Sequence, residues 1–202
     1  SLRVLSKYKN LIINGGNVFV QNEKSMGISA CGASNNLGGG IIEWCKQVFY
    51  GSKEGSYGLM ENEVLSIHSE INAPIFLPYL MGERAPLWND NARGIFFGLS
   101  RHHNRAYMTR SVFESAAFSL KQLSDEVEAI TRVGSISVSG GLARLNIINQ
   151  MKADVLNKEI KVLSEFETTA IGAYTYLLKA QNNKINLEDV KANTKIRQII
   201  IP

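Results

Sequence analysis

The period of the hydrophobic positions changes along the chain, and the predicted elements follow from those changes. Near the N-terminus the short apolar runs "LRVL", "LIIN", "NVFVQ" and "GISAC" are separated by turn formers such as Asn14-Gly15-Gly16-Asn17, which predicts a small meander of strands. Over "NNLGGGIIEWCKQVFY" the period lengthens. Ile41, Trp44, Cys45 and Val48 recur at three and four residues, the spacing of an amphipathic helix, and "SYGLMENEVLSIHSE" repeats it. "APIFLPYLMGERAPLWNDNARG" contains three of the four prolines with Gly82 and Gly94, and predicts one strand followed by an ordered loop. The longest helical signal runs from about Arg105 to Thr131, with Met108, Val112, Ala116, Leu120, Leu123, Val127 and Ile130 on one face. Beyond it come "SISVS" as a strand, "LNIINQMKADVL" as a helix, "IKVL" as a strand and "TTAIGAYTYLLKA" as a helix. In that last helix, Thr168 or Thr169 is expected to cap the N-terminus and Gly172 to allow close packing against a neighbour. Strand, helix, strand, helix implies a layered α/β core with at least one parallel crossover. No repeat, low-complexity tract or linker interrupts the pattern, so residues 1–202 read as one domain.

Composition narrows the setting. With 202 residues, 45% hydrophobic and 20% charged, the chain can bury a core and does not read as disordered. No apolar run approaches the length of a membrane span, and "SLRVLSKYKN" lacks the apolar core of a secretory signal. Two cysteines, Cys31 and Cys45, are too few for a disulfide framework, so the expectation is a soluble protein of the cytoplasm, without membrane association. The net charge of +4 is scattered, with no dense basic run, which argues against nucleic acid as a partner. Cys31 and Cys45, with His68, His102 and His103, show no zinc spacing and read as buried thiols and surface imidazoles; no metal site is predicted.

Candidate chemistry centres on Gly140 and Gly141, which stand between the strand "SISVS" and the helix beginning near Arg144. Residues without a Cβ in a strand-to-helix turn let a ligand approach the backbone, and the helix N-terminus offers amide donors and partial positive charge. A routine tight turn explains the same pair, and neither glycine-rich phosphate motif is present. In "GERAP", Glu83 and Arg84 suggest a loop able to hold a phosphate or carboxylate; the plainer alternative has Arg84 tying down the loop while Pro86 and Trp88 pack it. Glu114, among apolar residues of the long helix, reads as structural support.

Three segments taken in order carry a family resemblance: "ACGASNNLGGGIIEW", "FLPYLMGERAPLWNDNARGIFFGLS" and "VSGGLARLNIINQMKADVLNKEIKVLSEFETTAIGAYTYLL". Together they resemble the C-terminal domain of the FGGY carbohydrate kinases, the family of glycerol, xylulose, gluconate and ribulose kinases. "RGIFFGLSRHHNRAYMTRSVFES" is similar to the family's C-terminal signature, with Gly94, Phe96, Gly98, Leu99, Met108, Ser111, Val112, Phe113 and Glu114 in matching places, while Tyr107 replaces a polar residue.

The resemblance implies an α/β, actin-like ATPase (ribonuclease-H-like) C-terminal domain, a mixed sheet flanked by helices. It also implies ATP-dependent transfer of the γ-phosphate to a sugar or polyol hydroxyl, with Mg2+ bridging the phosphates. "GERAPLWNDNARG" looks most like gluconate and xylulose kinases. By the same resemblance the catalytic Asp, one phosphate loop and most sugar contacts belong to an N-terminal kinase domain upstream of position 1, so no catalytic residue is expected here and the chain alone is expected to be inactive. Gly141 would then lie against the nucleotide, beside Gly140. Leu145 takes the place of an adenine-contacting Asn, with Asn146 one residue later, and Gly39 and Glu43 match a Gly and a Gln that touch the nucleotide in glycerol kinase. Gly39 simply opening a helix, with Glu43 facing water, is the alternative. A homodimer is a further partnership to consider. The departures at Tyr107, Glu43 and Leu145 suit a second reading, a non-catalytic nucleotide-sensing or protein-binding module of the same fold.

Overall fold

Apolar and small residues at the N-terminal end pair in a three-stranded antiparallel sheet, formed by β1 (Leu2–Lys7), β2 (Phe19–Glu23) and β3 (Ile28–Ala33) in the order β1-β3-β2. This is a computed structural model, describing residues 2–7, 16–24, 27–51, 55–67, 73–165, 167–181 and 195–202. The order is not that of the predicted meander. Cys31, Gly32 and Ala33 bury β3, and a buried strand must bond both of its edges, which places it in the middle. Gly32 is required there, since a Cβ would lie 2.5 Å from the Leu2 carbonyl oxygen and 2.8 Å from the Phe19 ring. The predicted strand "LIIN", with Asn14 and Gly15, and His68 lie outside the described residues.

The chain forms two compact units, Ser1–Gly134 and Ser135–Pro202, where the sequence pattern reads as one domain. In the first unit, α1 (Gly40–Cys45) runs directly into a π-helical turn at Lys46–Tyr50, and α2 (Ser56–Leu65) follows. The wider turn changes the face that its residues present. Val48, expected in the core, is 56% exposed, while Ile41, Ile42 and Cys45 are buried. Two short antiparallel strands, β4 (Ile75–Leu77) and β5 (Ile95–Phe97), turn Phe76 inward. Phe76 stacks between Trp44, with centroids 5.6 Å apart, and Phe96, at 4.4 Å, giving the unit an aromatic spine.

Helix α3 (Arg105–Glu128) packs against β1, β3, β4, α1 and α2. The Asn104 side chain caps it by accepting from the Ala106 and Tyr107 amides. Its buried face is rotated from the predicted one: Ala106, Thr109, Val112, Phe113 and Ala117 are buried, then Leu123 and Val127, whereas Ile130 is exposed and Met108, Ala116 and Leu120 are half-buried. The hydroxyl groups make this possible. Thr109, Ser111 and Ser115 donate to the carbonyls of Arg105, Tyr107 and Val112, so they enter the core as small, satisfied side chains. Tyr107 is buried too, which suits an aromatic residue where a polar one was expected.

A polar clamp joins the π turn to α2 and α3. The Tyr50 hydroxyl lies 2.7 Å from Thr109 Oγ1 and donates to Glu63 Oε2 at 2.9 Å; Arg105 Nε donates to the same carboxyl at 3.0 Å. The Arg105 guanidinium stacks 4.3 Å from the Tyr50 ring centroid and also donates to the Phe49 carbonyl. The Arg105 hydrogen bonds hold the Glu63 carboxyl below its ordinary value, against the opposing effect of burial.

In the second unit, β6 (Ile136–Val138) and β7 (Ile160–Leu163) pair in parallel around α4 (Asn146–Leu156), the expected crossover. The third strand, β8 (Ile196–Ile200), adds antiparallel to β7, and α5 spans Thr168–Ala180. Ile136, Ile148, Ala153, Leu156, Ile160 and Val162 are buried in this unit. Asn157 ends α4 in the left-handed conformation at φ 50. Among the described residues Gly172 meets no close neighbour, since a Cβ there lies within 4 Å of no atom.

Candidate functional site

The strand-to-helix turn after β6 places Gly140, Gly141, Leu145 and Asn146 together in the second unit, whereas Gly39 and Glu43 belong to the first. Gly140 has φ 87 and ψ 177, a region essentially reserved for glycine. Gly141 opens a 3-10 turn, Gly141–Arg144, held by Ala143 N–H donating to Gly140 O and Leu145 N–H to Leu142 O, both at 3.1 Å. Around neither glycine does a Cβ meet any atom of the described residues within 4 Å. The first glycine is therefore needed for the backbone, while among the described residues the second has no packing or conformational requirement of its own.

Side chains that the sequence pattern did not single out hold this turn in place. Asn149, fully buried, donates from Nδ2 to the Ala143 carbonyl at 2.9 Å, and Arg197 on β8 reaches the same oxygen at 3.4 Å. The signal was present: Asn149 sits four residues after Leu145, on the face of α4 that is otherwise apolar. Ser139 Oγ and Thr168 Oγ1, 2.8 Å apart, tie the end of β6 to the start of α5. The expected Thr168 cap is thus not the observed role, since Thr168 is the first helical residue and its hydroxyl faces Ser139.

The two neighbouring positions Leu145 and Asn146 differ in what they present. Leu145 is buried, has extended backbone and carries no capping side chain, while Asn146 begins α4 exposed. Only Asn146 offers a polar side chain to a ligand. In the first unit Gly39 precedes α1 in helical backbone, and its carbonyl accepts from the Ile42 and Glu43 amides. Glu43 does not simply face water. Lys46 Nζ lies 2.7 Å away and, with the Tyr57 hydroxyl and Gln47, occupies the carboxyl, holding its pKa below the usual range.

The "GERAP" loop is organised by Glu83, not by Arg84. The buried Glu83 Oε1 accepts from the amides of Asn36 and Arg84, both at 2.8 Å, and the Glu83 main chain exchanges hydrogen bonds with Asn89. Gly82, at φ 68, is doubly constrained because a Cβ would fall 2.7 Å from the Asp90 Cα. Trp88 projects outward instead of packing the loop. Glu114 pairs with Arg110 at 2.7 Å on α3, a structural contact. Cys31 and Cys45 are buried free thiols, His102 is exposed, and half-buried His103 accepts the Ser100 amide at Nδ1. Among the described residues no group of three or more His, Cys, Asp or Glu is arranged to hold a metal ion, and no helix is long and apolar enough to cross a membrane.

The second unit is a parallel β-α-β arrangement whose glycine turn opens a helix, and the first holds an antiparallel sheet covered by a long helix. Residues 6–179 match the model of the FGGY family of carbohydrate kinases, C-terminal domain, and the chain belongs to that family. It is 33% identical over 172 residues to a gluconokinase of Bacillus licheniformis, covering 79% of this chain and 33% of that protein. The fold superimposes on the ligand-bound xylulose kinase of Lactobacillus acidophilus with a TM-score of 0.81 at 24% identity, over 99% of this chain and 40% of that one. It also superimposes on the Plasmodium falciparum glycerol kinase with ADP, with a TM-score of 0.78 at 18% identity, over 98% and 40% of the two chains. The fold is thus the α/β, actin-like ATPase fold of these kinases. The chain spans about a third of the length of the gluconokinase it matches.

Proposed function

We propose that the chain is the nucleotide-binding half of an ATP-dependent kinase that transfers the γ-phosphate to a sugar or polyol hydroxyl, of the gluconate or xylulose kinase kind. Residues 1–202 act in this reading as one kinase C-terminal domain in the cytoplasm, with both compact units included. The observation that carries it is the Gly140–Gly141 turn, where among the described residues the second glycine has open space around it and no other physical requirement. A backbone left bare beside a helix start suits a phosphate or a nucleoside face. Gly141 and Asn146 supply contacts in this reading, with Gly140 shaping the turn and Leu145 backing it from the core. Gly39 stands at the second candidate position. Glu43 is the weakest member, since Lys46 and Tyr57 already occupy it. Mg2+ would ride on the ATP phosphates, which it polarises. The partners are an N-terminal kinase domain that supplies the general base, the sugar or polyol, and a second copy of the chain.

Calorimetric titration of ATP and magnesium into the 202-residue chain tests the nucleotide site, and incubation with a panel of sugars tests the division of labour. Saturable ATP binding without sugar phosphorylation is expected. Stoichiometric turnover would place a complete site within these residues, and a chain that binds no ATP would favour the protein-binding module.

A further inference from the structure

Arg84 and Trp88 carry features that loop packing does not explain. Trp88 is 62% exposed, although a tryptophan ring ordinarily buries much of its surface, and its backbone lies at φ 47, an outlying conformation for a bulky residue. Such strain persists only where the surroundings impose it, and it clusters at ligand sites. Here the surroundings do impose it: Trp88 N–H donates to the Arg84 carbonyl at 2.7 Å, and its indole N–H donates to Asn17 Oδ1 at 2.7 Å. The Arg84 side chain is exposed, and among the described residues it has no hydrogen bond or ion pair. The adjacent Glu83 carboxyl is turned inward to the backbone amides of Asn36 and Arg84 instead of to the Arg84 guanidinium. Between these groups lies a cavity of 230 Å³, lined by Arg84, Trp88, Asn17, Ser34, Ala85 and Phe19 among others.

We infer that Arg84, Trp88, Asn17 and Ser34 form a binding site for the carboxylate end of a small polyhydroxy acid. The guanidinium fork matches a carboxylate in bidentate fashion, which a lone hydroxyl cannot exploit. The indole face covers the C–H side of a polyol, and the Asn17 amide and the Ser34 hydroxyl meet its hydroxyl groups. The volume is below the roughly 300–1,000 Å³ of clefts that enclose a drug-sized ligand, so it fits one end of a short acid and not a nucleotide. The class of ligand rests on the carbohydrate-kinase reading; the position rests on the loop itself. The site adds a sugar contact to the half that otherwise holds nucleotide.

Calorimetric titration of the 202-residue chain with sodium gluconate tests it, with xylitol and inorganic phosphate as comparison titrants and no ATP present. Gluconate is expected to bind saturably and xylitol at least tenfold more weakly. Arg84→Met should lose at least tenfold in gluconate affinity without lowering the melting temperature. Trp88→Gly, which suits the positive φ, should lose gluconate binding while melting no earlier than the parent chain. The inference is overturned if Arg84→Met binds gluconate normally, if xylitol binds as well, if phosphate competes equally, if no gluconate binds, or if Trp88→Gly melts earlier. Since ATP is absent, failure here leaves the nucleotide reading intact, and failure to bind ATP leaves this site intact.

Discussion

Substituting the two adjacent glycines of the β6–α4 turn one at a time separates backbone need from ligand need. At Gly140, φ 87 means that any Cβ is strained whatever the space around it, at about 1–3 kcal/mol. In a chain of this size that lowers the melting temperature by roughly 2–4 °C for each kcal/mol. At Gly141 the backbone begins a 3-10 turn and a Cβ meets no atom of the described residues within 4 Å. Alanine there restricts the unfolded chain and should leave stability unchanged or raise it by about 0.4–1 kcal/mol. Gly141→Val adds a branched group at the same point, still clear of protein atoms at its Cβ. If the nucleotide lies on this backbone, the valine must displace it, and losing roughly 1.4 kcal/mol would appear as a tenfold rise in the ATP dissociation constant. The assay pairs calorimetric ATP titration with thermal melting followed by circular dichroism, on Gly140→Ala, Gly141→Ala and Gly141→Val. The expected result is an earlier melt for the first and weakened ATP binding at a preserved melt for the last. Unchanged ATP affinity in Gly141→Val would refute the placement, and an early melt in Gly141→Ala would refute the geometric reasoning.

Glu63 has a depressed pKa in the folded chain, so its contribution is present above its ordinary value of 4.5 and is lost as pH falls through the lower folded value. Glu63→Gln should therefore melt earlier than the parent chain at pH 7, and the gap should close under acid; a gap independent of pH would exclude the Arg105 clamp as its cause. Burial pushes the Cys45 thiol up to about 12, so native alkylation at pH 8 should leave it unlabelled by mass spectrometry, and rapid labelling would contradict its burial. Gly82→Ala combines positive φ with a Cβ 2.7 Å from Asp90 Cα and should cost at least about 1–3 kcal/mol, seen as a lower urea midpoint; an unchanged midpoint would show the loop to be adaptable.

Much of the fold was legible where the period was long. The extent of α3 followed from its apolar repeat, and β6, α4, β7 and α5 followed from alternating strand and helix signals. The buried face of α3 was not, because Thr109, Ser111 and Ser115 bury hydroxyls that bond within their own helix, and a polarity count places them outside. Strands β5 and β8 escaped because Ile95, Phe97, Ile196 and Ile199 are apolar yet exposed, so no polar alternation marks them. Sheet order escaped because pairing is a property of two strands and not of either alone. At the candidate site the glycine pair was visible as a pattern, but the division between a conformational Gly140 and an unconstrained Gly141 needed φ and the surrounding space. The supports from Asn149 and Arg197 depend on contacts 6 and 54 residues apart in sequence.

The π turn at Lys46–Tyr50 has a consequence for how this chain tolerates changes of length. A π turn closes its hydrogen bonds one residue further along than an α turn. Deleting one residue from this segment would let the backbone continue α1 in ordinary register, and the bonding pattern of the helix would absorb the lost atom count before Gly51. The deletion would also rotate Tyr50 away from Thr109 and Glu63, releasing the clamp on Arg105. Single-residue gain or loss here therefore acts as a dial on how tightly three helices are locked, instead of as a loop of variable reach.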